Sequence, residues 1–182
     1  MSKQHELPLI EPQAQQENTR LEARLVKTIE MIRFTGAAIA IALGLKSSNP
    51  DYRLSAALFV FFLAGITGLE SLFLGKISAR SKKWDEGSPY QIQSGCNNLA
   101  SAVAMIILLS IGASDAALAT LMMTVTIFLQ LSGINHLVTV VVDKMKGKDI
   151  AWIHFLRMFF ATCISIAVGF TLAKWRPFNS NV

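Results

Sequence analysis

Several polar and ionisable residues lie within or at the ends of long apolar stretches of this 182-residue chain. Glu70, His136 and Arg157 have side chains that could exchange protons or pair with charges. The amides of Gln91 and Asn98 could orient a ligand through hydrogen bonds. A charged group in such an environment costs about 2.5–3.5 kcal/mol on insertion scales and usually faces a functional site or a partner. We therefore predict a ligand-binding site formed by Glu70, Gln91, Asn97, Asn98, Asn135, His136, His154 and Arg157.

The spacing of these residues favours two facing polar surfaces. One helical face is predicted to carry Ser132, Asn135, His136, Thr139 and Asp143, and the next helix a stripe of His154, Arg157, Ala161 and Ser165. Opposed faces of this kind would form a polar pocket. The alternative is structural: Glu70 pairs with Arg157, and the other polar groups bridge helices at about 0.6 kcal/mol each. For the set as a whole we favour a binding site.

The elements that carry these residues are long enough to cross a lipid bilayer. The chain is 52% hydrophobic and 16% charged, against about 25% charged residues in a typical soluble domain. Because a bilayer core needs roughly 20 helical residues, this pattern excludes an ordinary soluble domain and a disordered chain. We predict an all-α transmembrane bundle of five spans, or four if the first is only interfacial. The predicted spans are about 29–46, 54–75, 91–112, 115–142 and 150–174.

The first span is the shortest in purely apolar residues, because only Phe34–Leu45 is uninterrupted. Apolar residues at helical spacing upstream predict one helix from about residue 19 to Leu45, interfacial at first. Gly36, Ala40 and Gly44 form an edge of small residues that lets another helix approach closely in lipid. Residues 1–18 are predicted to be a mobile tail, 19–176 a single transmembrane domain, and 177–182 a short C-terminal tail.

The distribution of Lys and Arg predicts the orientation. With five spans, eleven basic residues outside the spans fall on the N-terminal side and four on the other. The positive-inside rule then places the N-terminus in the cytoplasm and the C-terminus outside. The candidate site residues, with Glu30 and Arg33 of the first helix, fall in the cytoplasmic third. The basic loops are short and lie beside the membrane, so the predicted partner is the lipid bilayer and not nucleic acid.

A loop motif precedes the third span. It consists of Trp84, Gly87, Ser88, Pro89 and Tyr90, and it continues through Gln91, Gly95, Asn98, Leu99 and Ala100. With Gly133 and His136, these residues resemble a family of small bacterial multi-pass membrane proteins of unknown function that carry a W…GSP(F/Y)Q…G..NLA segment. The resemblance covers residues 54–165 and implies the fold and the pocket, but no reaction. Gln93 and Ser132 stand where the family pattern has carboxylates.

Three functions stay open from the sequence. The first is a binding or transport protein whose pocket takes a small ligand, a proton or a lipid headgroup. The second is a membrane redox or quinone-linked enzyme, in which His136 and His154 could ligate a haem as a pair. The third is an accessory subunit or homo-oligomer, in which the polar residues only lock the bundle together. No metal site is predicted, because no recognisable ligand spacing is present, and no enzyme motif favours a reaction.

Overall fold

The computed structural model of the chain describes residues 10–46, 51–82, 89–147 and 152–176, and within these ranges it contains helices and no strand. The helices are α1 (Ile10–Leu45), α2 (Tyr52–Val60), α3 (Ile66–Phe73), α4 (Gly75–Lys82), α5 (Pro89–Ser110), α6 (Asp115–Met145) and α7 (Trp152–Trp175), with a π-helical segment, Phe61–Gly65, between α2 and α3.

Five stretches are long and apolar enough to cross a membrane: Glu17–Leu45, Tyr52–Phe73, Gln91–Ser110, Asp115–Val142 and Phe155–Trp175. The predicted all-α bundle of five spans is therefore confirmed, and the chain is a multi-pass membrane protein. The outer surface fits a lipid environment, since Phe73, Phe159 and Phe170 are 78%, 64% and 65% exposed. Soluble monomers rarely expose large apolar side chains over such a surface.

The N-terminal part of α1 differs from the prediction. The sequence predicts that the first helix begins at about residue 19, but α1 already begins at Ile10. Pro12 is compatible with the helix because N–H groups of the first turn have no partner within the helix. The Gln and Ala residues that follow are good helix formers. Residues 1–9 and 177–182 lie outside the described ranges.

The connection between α5 and α6 is a tight hairpin, in agreement with the short gap between the predicted spans 91–112 and 115–142. Gly112 has a positive φ of 65°, a conformation that glycine adopts without strain. Ser114 is the N-cap of α6, and its side chain accepts a hydrogen bond from the amide of Ala117. This cap satisfies one of the free N–H groups at the start of the helix. The turn fixes α5 and α6 as antiparallel neighbours.

The small-residue edge of α1 is a site of close helix packing, as predicted. Gly36, Ala40 and Gly44 are all buried, and the hydroxyl of Ser55 donates a 2.7 Å hydrogen bond to the carbonyl of Ala40. A Cβ atom at Gly44 would lie 2.5 Å from Cγ2 of Thr171 in α7. Because no side chain separates the backbones here, α2 and α7 both reach α1 directly.

A second close contact joins α3 to α5. A Cβ atom at Gly68 would lie 2.8 Å from the amide nitrogen of Leu99 and 3.0 Å from the carbonyl oxygen of Gly95. A Cβ atom at Gly95 would in turn lie 2.8 Å from Cβ of Ser71. The two glycines therefore bring the helix backbones together, which fixes the rotation of α3 and the direction in which its polar residues point.

The π-helical segment lies within the span Tyr52–Phe73, and it allows residues before and after its bulge to face α1. The Phe62 ring packs on Gly36, and the Thr67 hydroxyl lies 3.1 Å from Nη1 of Arg33. In a regular α-helix, five residues rotate the chain about 140° beyond a full turn, so Phe62 and Thr67 would face different directions. A π turn contains one more residue than an α turn, and this extra residue brings Phe62 and Thr67 onto the same face of the helix. Residues after the segment, including Glu70, consequently point at α1.

Candidate functional site

A buried ion pair joins α1 to α3 inside the membrane-spanning part of the bundle. Nη1 of Arg33 lies 3.4 Å from Oε2 of Glu70, and the two side chains are 14% and 4% exposed. The same Nη1 donates to the hydroxyl of Thr67 at 3.1 Å. Ser78 of α4 donates a 2.6 Å hydrogen bond to the other carboxylate oxygen of Glu70. Three helices thus meet at one carboxylate.

A second ion pair lies beside the first. Nη2 of Arg157 in α7 is 3.8 Å from Oε1 of Glu30 in α1, and these side chains are 21% and 28% exposed. Arg157 also interacts electrostatically with Arg33 and Glu70. We call Glu30, Arg33, Glu70 and Arg157 the charged cluster. Its two arginines and two carboxylates come from α1, α3 and α7, and their formal charges cancel.

The charged cluster lies near the end of the bundle where α4 packs against α1 and α3, which we call the α4 end. Arg157 follows the first residue of α7, Trp152, by about 7–8 Å along the helix axis. At the same end, Nη1 of Arg80 binds both carboxylate oxygens of Glu22, at 3.0 and 3.1 Å. This exposed pair holds α4 against α1, above the charged cluster.

Two aromatic rings lie next to the Glu30–Arg157 pair, which we call the outer ion pair, on the side away from the α4 end. Phe34 follows Glu30 by one turn of α1, and Phe160 follows Arg157 by one turn of α7. Their ring centroids are 6.1 Å apart at an interplanar angle of 27°. The guanidinium of Arg33 lies 4.7 Å from the Phe34 centroid, within cation–π distance. We call Phe34 and Phe160 the aromatic pair.

Three of the four predicted amide residues, Gln91, Asn97 and Asn135, lie apart from this cluster. Asn97 and Asn135 are exposed on the outer surface. Gln91 donates a 2.8 Å hydrogen bond to the carbonyl of Gly75, which ties the start of α5 to α4. Asn98 is buried at 6% exposure in α5. Of the predicted site residues, the structure brings Glu70 and Arg157 into the charged cluster.

Several of the predicted histidine and loop residues lie wholly or partly outside the described part of the structure. His136 is half-buried on α6. The backbone of His154 lies in α7 and that of Tyr90 in α5, but their side chains lie outside the described part. Haem ligation by His136 and His154 therefore stays a prediction. Pro89 begins α5 and is exposed. Trp84, Gly87 and Ser88 lie outside the described residues. Among the residues that are described, no three His, Cys, Asp or Glu side chains form a metal-binding group.

Comparison of the chain with protein-family models, with curated proteins and with solved structures finds no match. The resemblance to small bacterial membrane proteins therefore stays a prediction.

Two members of the charged cluster were not in the predicted site. The sequence places Glu30 and Arg33 at the predicted cytoplasmic end of the first helix, but the predicted ligand-binding residues do not include them. The available signal was their spacing, since a carboxylate and a guanidinium three residues apart share a helix face. Two opposite charges on one face of a membrane span favour an inward-facing pair over separate surface charges.

A polar network at the opposite end of the bundle, the far end, was also missed. Arg53 pairs with Asp115 at 2.6 Å and donates to the carbonyl of Ala113 at 3.0 Å. The indole of Trp175 donates to Asp115 at 3.1 Å, and its ring stacks on Tyr52 with centroids 5.6 Å apart. These contacts join α2, the α5–α6 turn and α7. Arg53 and Asp115 are 42% and 44% exposed, which suits a connection at the surface.

Proposed function

We propose that this protein binds the polar group of a small molecule or a lipid at the charged cluster. The observation that carries the proposal is the convergence of four ionisable side chains from three membrane-spanning helices. Each charge inside a span costs about 2.5–3.5 kcal/mol on insertion scales, and such residues commonly mark binding or transport pathways. Glu30 and Arg157 are more exposed than Arg33 and Glu70, so a ligand would reach the cluster at the Glu30–Arg157 pair.

A purely structural role accounts less well for the cluster. The helices are already in close contact at Gly36, Gly44 and Gly68, where small residues do the packing. Replacing a buried ion pair by apolar residues of similar size is often neutral or stabilising. A bundle that needed only stability would therefore not require two arginines and two carboxylates at this position. Their partial exposure on the α1–α7 side favours contact with a ligand.

The orientation belongs to the same proposal. We infer from the eleven basic residues on the N-terminal side, against four on the other, that the α4 end faces the cytoplasm of a bacterial inner membrane. The charged cluster would then be reached from the inner leaflet or from the cytoplasm. The motif residues from Trp84 to Ala100 support membership of the small bacterial membrane-protein family described above.

Thermal unfolding tests the binding proposal. An equimolar mixture of phosphatidylethanolamine and phosphatidylglycerol, added to the purified protein in mild detergent, is expected to raise Tm by about 3–6 °C at tenfold excess over Kd. Arg157→Gln removes a charged contact, so the rise should be largely lost. Asp115→Asn is the matched control, because it changes an ion pair at the far end and should keep the full rise. No rise in the wild type, or an equal rise in the Arg157→Gln variant, would contradict the proposal.

A further inference from the structure

Helices α1 and α7 meet along a line of contact that includes Glu30 with Arg157 and Phe34 with Phe160, which we call the α1–α7 seam. The outer ion pair places a negative and a positive charge side by side on this seam. Oε1 of Glu30 and Nη2 of Arg157 are 3.8 Å apart, and both side chains are partly exposed. The inner pair, Arg33 and Glu70, is more deeply buried. A ligand that reaches the cluster along this seam therefore meets a carboxylate and a guanidinium side by side.

The two helices that form the seam run in the same direction. Glu30 is next to Arg157 near the α4 end, while at the far end Nζ of Lys174 donates to the carbonyl of Leu45 at 2.9 Å. The residues one turn further from the α4 end are Phe34 on α1 and Phe160 on α7. Polar groups therefore come first and aromatic rings second along both helices.

This order matches the arrangement of a phospholipid in its leaflet, with the headgroup outside and the acyl chains inside. Helix α7 has 24 residues and is about 36 Å long, against a hydrocarbon core of about 30 Å. Arg157 thus begins a few ångströms inside the core, and its long side chain can extend towards the phosphate level. Phe160 is 46% exposed, so its ring is available to an acyl chain.

The charge balance of the seam selects the headgroup. A purely anionic group would compete with Glu30 and Glu70 for the arginines, and a purely cationic group would meet Arg157. A zwitterion satisfies both members of the outer pair. A primary ammonium can donate hydrogen bonds to a carboxylate, whereas a quaternary ammonium has no N–H to donate. Ethanolamine phosphate has the required phosphate and ammonium on a short linker.

We propose that the α1–α7 seam binds an ethanolamine phosphate group, with the phosphate on Arg157, the ammonium on Glu30 and an acyl chain along the aromatic pair. This inference rests on the proposed function, because it names the class of ligand at the same cluster. The aromatic pair favours the lipid, phosphatidylethanolamine, over its water-soluble headgroup.

Native mass spectrometry of the purified protein tests this choice. The protein is mixed in detergent with equimolar phosphatidylethanolamine, phosphatidylcholine and phosphatidylglycerol whose acyl chains differ in mass, and the retained lipids are counted. Phosphatidylethanolamine is expected to exceed each of the others by about tenfold, the size of effect that charged hydrogen bonds give. In a second arm, soluble phosphoethanolamine is added as a competitor and should displace little lipid.

Glu30→Gln is the decisive variant, because it removes the negative charge and should abolish the preference for phosphatidylethanolamine over phosphatidylcholine. The ratio of two lipids on one sample does not depend on how much protein is folded. Asp115→Asn should keep the wild-type ratio. Equal retention of both lipids by the wild type, or an unchanged ratio in the Glu30→Gln variant, overturns the ethanolamine assignment.

The outcomes also separate this inference from the proposed function. If phosphatidylglycerol is retained best and Arg157→Gln abolishes its retention, the cluster binds a ligand but the headgroup assignment is wrong. If no lipid and no phosphoethanolamine is retained in a way that depends on Arg157, both proposals fail. Displacement of lipid by phosphoethanolamine at equal concentration supports the headgroup chemistry and contradicts the role of the aromatic pair.

Discussion

Replacing Glu70 by alanine is expected to destabilise the folded bundle by about 3–5 kcal/mol. The substitution leaves the guanidinium of Arg33 at 14% exposure without its carboxylate, and it removes the acceptor of the Ser78 hydroxyl. A buried charge that loses its partner keeps its full desolvation penalty, which is why removing one member is worse than removing both. The free energy of unfolding, measured by titration with SDS in mixed micelles, should show this loss.

Two further variants complete the measurement. Replacing Arg33 and Glu70 together by methionine removes both charges and should recover most of the stability lost by Glu70→Ala. Asp115→Ala breaks the half-exposed pair at the far end and should change the free energy of unfolding by about 0–1 kcal/mol. If Glu70→Ala stays within 1 kcal/mol of the wild type, a threshold set by that exposed pair, the buried pair does not hold α1 and α3 together.

A methyl group at Gly68 is expected to destabilise the bundle by about 1–3 kcal/mol, the usual range for overpacking. The added Cβ atom would lie 2.8 Å from the backbone nitrogen of Leu99, and a backbone atom cannot move aside as a side chain can. The Gly68→Ala variant must therefore shift α3 away from α5. SDS titration in mixed micelles measures this effect on the same scale as the previous variants.

Gly169 supplies the matched control for this prediction. It lies in α7, and a Cβ atom there would meet nothing within 4 Å. Gly169→Ala should therefore be neutral or stabilising by up to about 1 kcal/mol, since alanine is the better helix former. Equal effects of the two substitutions would show that helix propensity, and not the contact between α3 and α5, determines the result.

The sequence predicts the position of residues along the length of the bundle well. The five spans, the α5–α6 hairpin and the small-residue edge of α1 all follow from apolar length, capping residues and helical spacing. Hydropathy reports position along the membrane normal, and the four members of the charged cluster do lie towards one end of the bundle. Depth is accessible because each residue adds a fixed rise of about 1.5 Å.

The direction in which a side chain points around its helix was harder to predict. Asn97 and Asn98 are adjacent in sequence and nearly equal in depth, yet Asn97 is exposed and Asn98 is buried. The π-helical segment changes the rotation of α3, and its sequence, Phe61–Gly65, carries no signal for an extra residue. The direct hydrogen bond from Arg33 to Glu70 therefore depends on helix rotation, which apolar periodicity does not determine.

A structure of the protein in a lipid nanodisc that contains phosphatidylethanolamine tests most directly whether the charged cluster binds a ligand. We expect non-protein density within hydrogen-bond distance of Arg157 and Glu30, continuous with density along Phe34 and Phe160. Direct closure of Arg157 onto Glu30, with only acyl chains crossing the seam between α1 and α7, would contradict ligand binding at the charged cluster.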